Sequence, residues 1–136
     1  MNPYWGYGVP QFMPTDRMTE DEIREYGVGY AMSFLKENGF SLVNAQAAKN
    51  VWPNIVAQKD NFLWFIAVAT AIAPEFGHFE QDEKDNLVQH ANKFNALAVV
   101  MNVSMGSSDA ERCSESLALR DDDFRIGIAP MEFLNK

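Results

Sequence analysis

Few side chains in this sequence have the type and spacing for chemistry. His78-Phe79-Glu80 follows Glu75 closely, and an imidazole beside carboxylates could hold a divalent ion. The chain has only two histidines, His78 and His90, and this spacing matches no strong metal motif, so a surface loop is the simpler reading. Asp121-Asp122-Asp123 offers hard oxygen ligands but lacks the alternation of a calcium loop, which leaves a solvated turn. Cys113 is the single cysteine and lies in a Ser/Glu-rich stretch with no nucleophile signature. One cysteine also excludes an intrachain disulfide and a cysteine-based zinc site. Gly27-x-Gly29 falls inside a helical pattern and reads as close packing, not as a phosphate loop. The 11 Lys+Arg stand singly among 19 Asp+Glu, for a formal net charge of −8. No basic stripe interleaved with aromatics is present, so nucleic acid is not an expected partner.

The elements that must position these residues follow from length and periodicity. At 136 residues, 47% apolar and 22% charged, the composition is that of one globular domain. The longest apolar run, Phe62 to Pro74, is too short to cross a bilayer. Met1–Pro14 lacks the basic start and aliphatic core of a signal peptide, so a cytoplasmic domain is expected. Residues 1–18 form an arm rich in aromatics and proline, with Tyr4, Trp5, Tyr7 and Phe12 suited to packing on this domain or on a neighbour. Residues 19–136 form the domain. Thr19 caps a first helix, with Glu22 completing a capping box, and Asn38-Gly39 ends it. Ile23, Tyr26, Tyr30 and Phe34, with Val28, Ala31 and Leu35, recur at helical spacing. Strands are expected at Phe40–Ala45, Pro53–Gln58 and Phe62–Ile72, the last two joined by a tight turn at Lys59-Asp60-Asn61. A second helix is expected at Gln81–Leu97, with Leu87, Val88, Ala91, Phe94 and Leu97 inward, then a strand at Ala98–Met105. Ser116–Leu119 and Phe124–Pro130 suggest a strand pair around an acidic turn. The order is α-β-β-β-α-β-β.

That order and its residue pattern resemble the PD-(D/E)XK nuclease superfamily, the restriction-endonuclease-like fold. The resemblance runs from about Glu20 to Phe133. Glu25–Ala31 through Phe34-Leu35 and Gly39-Phe40 look like the family's first helix and strand. Pro53-Asn54-Ile55-Val56-Ala57 looks like the strand that begins with Pro-Asp, and Phe65–Thr70 like the one that carries Glu-x-Lys. Leu87 to Phe94, Ala98 to Val103 and Asp123-Phe124-Arg125-Ile126 match the elements that follow. The resemblance implies an α/β (α+β) fold with a mixed central sheet flanked by two helices.

It also implies a site in which Asp and Glu hold Mg²⁺ and Lys positions the attacking water. Here those three positions are Asn54, Ala67 and Ala69. An amide is a weak neutral ligand and a methyl group is none, so the metal–water–phosphate arrangement has nothing to build on. The expectation is therefore a catalytically inactive nuclease-like domain with no cofactor, acting through a protein partner or as a homo-oligomer. The alternative is a divalent-metal-dependent nuclease or nucleic-acid-binding protein with a relocated site. Family members move catalytic groups to neighbouring elements, and Glu25, Glu75, Glu83 and Lys84 are the groups that could have moved. Mg²⁺ belongs only to that alternative. Acids opening the second helix also suit its dipole with no catalytic role.

Overall fold

The computed structural model describes residues 17–110, 113, 118–120 and 123–135. Residues 1–16 of the arm, 116–117 and Asp121-Asp122 lie outside these described residues. Two helices, α1 (Glu20–Glu37) and α2 (Gln81–Lys93), flank a six-stranded mixed sheet. The strands are β1 (Ser41–Ala45), β2 (Ile55–Lys59), β3 (Phe62–Ile72), β4 (Leu97–Ser107), β5 (Phe124–Ile128) and β6 (Glu132–Phe133). Their spatial order is β1-β2-β3-β4-β5, with β6 also paired to β4. The β1/β2 and β2/β3 pairs are antiparallel, β3/β4 is parallel, and β5 and β6 return antiparallel. The α+β class matches the reading of the sequence, and the first seven elements follow the expected order; β6 is a further short strand. No described helix is long and apolar enough to cross a membrane.

Local chemistry explains the elements. Thr19 N–H donates to Glu22 Oε1 at 2.8 Å, and Glu22 N–H returns to Thr19 Oγ1 at 3.1 Å. This capping box satisfies two of the donors that the first helical turn leaves open. Gly39, at φ +89°, supplies the left-handed residue after Asn38 that stops α1. Asp60 and Asn61 take φ values of 56° and 66°, as a two-residue hairpin turn requires.

The two-residue period of the strands sorts the core into two layers. Ile66 and Val68 of β3 join Val99, Met101 and Val103 of β4 beneath Val28, Ala31 and Leu35 of α1. Phe65 and Ala67 join Ala98 and Val100 on the opposite face, beneath Leu87 and Ala91 of α2. At Gly27 α1 lies so near the sheet that an added Cβ would overlap the Thr70 hydroxyl. That approach turns α1 so that Gly27, Val28, Ala31 and Leu35 face inward. Tyr26 and Tyr30, expected on the inner stripe, remain exposed, and Tyr26 meets Phe124 edge-on at 5.2 Å.

Three boundaries differ from expectation. The second helix ends at Lys93, not Leu97, because Asn95 adopts a left-handed φ of 55° and turns the chain into β4. Phe94 is consequently 57% exposed, and Leu97 opens the strand. β4 also runs on through Gly106 and Ser107. Finally, β5 pairs with β4, and Leu119 bridges Arg17; 116 and 117 lie outside the described residues. The long apolar β4 provides a better ladder than a local hairpin across the acidic stretch.

Two measurements test this account. Gly27→Ala should lower stability in urea unfolding by about 1–3 kcal/mol through overpacking. The same change at Gly29, where an added Cβ meets nothing within 4 Å, should raise it by up to about 1 kcal/mol through helix propensity. Thr70→Ala should recover much of the Gly27→Ala loss. The second test concerns Glu22, whose pKa falls to about 2, chiefly through the hydrogen bond from Arg120 at 2.8 Å. A carboxylate held below its ordinary pKa of 4.5 stabilises the fold fully above that pH, and the contribution fades as pH drops towards 2. The stability gap between the parent and Arg120→Ala should therefore be constant near neutrality and close between pH 4.5 and 2.

Candidate functional site

Asn54, Ala67 and Ala69 do come together. Ile55 pairs with Ile66 across the β2/β3 ladder, so Asn54, one residue earlier, lies opposite Ala67. Asn54 is 1% exposed and its polar atoms are all engaged with backbone. Its N–H donates to Ile66 C=O at 2.9 Å. Its side-chain Oδ1 accepts from Val68 N–H at 2.7 Å, and its Nδ2 donates to Gln46 C=O at 3.4 Å. The side chain thus completes the ladder where β2 begins, and the chain before it swings away. A buried amide so used is a structural joint, and its oxygen is not open to a ligand.

Ala67 and Ala69 share the α2 face of β3 and are 2% and 7% exposed. Ala67 packs under Leu87 and Ala91. Ala69 is covered by Gly77, where an added Cβ would overlap the Ala69 carbonyl. Ala67 is therefore closed off by α2, while Ala69 lies with its backbone against Gly77 and also lines a neighbouring cavity.

The four groups that could have moved are dispersed. Glu25 is exposed on α1, and Glu75 is exposed just after β3. Glu83 is committed to capping α2, accepting from Glu80 N–H at 2.8 Å. Lys84 is paired with both carboxylate oxygens of Glu132 at 3.1 and 3.2 Å. Among the described residues no group of three or more His, Cys, Asp or Glu is placed to hold a metal ion. His78 sits within 3.3 Å of Glu80, both well exposed. Asn54 and Ala67 are close but used up; the carboxylates and the lysine are elsewhere.

Beside this joint lies a feature that no sequence motif marks. A cavity of about 340 Å³ opens where β3 outruns β2. Its floor is the end of β3 from Val68 to Ile72. Arg24 and Ile23 of α1, Lys49 and Trp52 of the β1–β2 connection, and Phe79 before α2 form its sides. Arg24 is held there by Ala47 C=O at 2.6 Å and Asp21 at 2.7 Å. Trp52 and Phe79 meet edge-on at 5.4 Å. The signal was present in the strand lengths: an eleven-residue β3 opposite a five-residue β2 must overhang it.

The role of Asn54 gives a test. Asn54→Asp would place a carboxylate in a buried site that offers one donor and faces the Gln46 carbonyl. Stability should fall by about 1–3 kcal/mol at neutral pH. Burial raises the pKa of such a group, so the loss should shrink as pH falls and the acid protonates. Urea unfolding of both proteins from pH 4 to 8 measures it.

Comparison with curated proteins and with solved structures finds no match at a significant level. A family model does match, over residues 21–133, from the first turn of α1 to the end of β6. The chain therefore belongs to the family described as a domain of unknown function, DUF8840.

Proposed function

We propose that this chain is a cytoplasmic, catalytically inactive domain of the PD-(D/E)XK type that works through protein–protein interaction or self-association. The observation that carries the reading is the use of the three motif positions. Asn54 spends its amide on backbone, Ala67 is buried beneath α2, and Ala69 brings only a methyl group to the cavity wall. Transition-state charge in phosphodiester hydrolysis needs metal-bound oxygens and a cation at fixed places, and each such interaction is ordinarily worth about a hundredfold or more in rate. Nothing at these positions supplies them.

The interaction half of the reading is supported by the sheet face beside α2. That helix packs on β3 and β4. Val43 of β1 is 59% exposed and Phe94 after α2 is 57% exposed, with half-buried Val56 and Leu63 packed against the same core layer. Exposed aliphatic and aromatic side chains next to a firm core are the usual centre of a protein interface.

Three measurements on the full chain test the proposal together. Titration calorimetry with Mn²⁺ should show no saturable heat, and supercoiled plasmid should remain intact with Mg²⁺ or Mn²⁺. Sedimentation velocity should show association that grows with concentration and weakens in the Val43→Asp, Phe94→Ser double variant. Nicking abolished by changing Glu75 or Lys84 would replace the inactive reading with that of a relocated nuclease. A strict monomer at all concentrations would remove self-association.

A further inference from the structure

Beyond Val68, the side of β3 that faces away from β4 has no described strand beside it. Even-numbered residues of β3 turn their backbone groups towards β2, as the Ile66 carbonyl and Val68 N–H do with Asn54. The odd ones turn towards β4, a pattern that Ala73 N–H continues to the Met105 carbonyl. The Val68 carbonyl, the Thr70 N–H and the Thr70 carbonyl therefore face the vacated side, into the cavity. No described group of the protein bonds to them. These alternating acceptors and donors are what an added strand pairs with. Ala69–Ile72 is four residues at about 3.3 Å each, which limits an added strand to a few residues.

The surrounding walls define that strand's chemistry. Arg24 is anchored by Asp21 and the Ala47 carbonyl and serves as wall. Lys49, exposed on the rim, makes no hydrogen bond or ion pair with a described residue. Ile23, Trp52 and Phe79 supply an apolar surface beside it. We propose that the cavity binds the C-terminal end of an extended apolar peptide. Its backbone pairs with Thr70, its terminal carboxylate meets the Lys49 ammonium, and its last side chain packs against Trp52 and Phe79. A simple anion would use Lys49 and leave the edge unpaired; a peptide end uses both. The site does not depend on whether the chain is an inactive nuclease, and a nuclease-active chain would leave the following outcomes unchanged.

The test titrates the ¹⁵N-labelled full chain with N-acetylated tripeptides ending in Val, Leu or Phe with free carboxylates. The same peptides as C-terminal amides, and acetate alone, run in parallel. The acids should give saturable shifts at the Thr70 and Ala71 amides and slow exchange of the Thr70 N–H. The amides, and the acids with Lys49→Ala, should bind at least tenfold more weakly. Lys49 is exposed, so that variant keeps the fold. Absence of saturable shifts, shifts confined to other surfaces, or equal binding of acids and amides would overturn the proposal. Acetate reproducing the full effect, slowed exchange included, would do the same by reducing the site to one for simple anions.

Discussion

The bond from Val68 N–H to the Asn54 side chain is the point on which this sheet turns. Before it, β2 and β3 pair residue for residue; after it, β3 continues against β4. An amide side chain can stand in for one peptide carbonyl, and here it does so at the last position before the chain departs. The Gln46 carbonyl holds the other end of that amide, so the β1–β2 connection is pinned at the place where it leaves the sheet. Gln46 is itself tied to Val51 and Pro53, and its Oε1 accepts from Ala48 N–H. One polar network, buried at the Asn54–Val68 bond and reaching the surface at Gln46 and Ala48, thus fixes the width of the sheet, the course of the connection and the cavity beside it.

Around that joint the remaining contacts make the layers rigid. Gly27 lets α1 sit directly on Thr70, and Gly77 lets the β3–α2 loop sit directly on Ala69. Both glycines serve by the absence of a side chain, one on each face of the same strand. Central β3 is therefore clamped from above and below just where its β2 neighbour ends. The Thr70 hydroxyl is buried in this clamp without a hydrogen-bond partner among the described residues. A group of this kind is tolerated where close packing on both sides outweighs one lost bond.

Much of this architecture could be read from residue types. The capping box at Thr19, the Asn38-Gly39 stop and the Asp60-Asn61 turn each depend on neighbours in sequence, and each lies where expected. The apolar run at Phe62–Ile72 is long because both of its faces are covered. What failed were readings that depend on competition between distant partners. The Gln81–Leu97 pattern continues past Lys93, but the pull of β3 on residues from Leu97 ends the helix earlier. The pairing of Phe124–Ile128 was decided by β4, which lies far off in sequence. At the candidate site the positions Asn54, Ala67 and Ala69 were legible, yet the use of the Asn54 amide was not, since its partners are two backbone groups that only the folded sheet brings near. Lys49 and Trp52 went unnoticed because they sit in an irregular connection with no periodicity to mark them.

The short overhang of β3 has a bearing on solubility. Bare sheet borders invite copies of the same protein to stack into fibres, and the danger grows with the length of border left open. Here the unguarded stretch is brief and recessed between a helix, an aromatic pair and an irregular crossing segment. A visitor entering that slot meets a wall after a few residues, so growth of one sheet into the next cannot carry on through it.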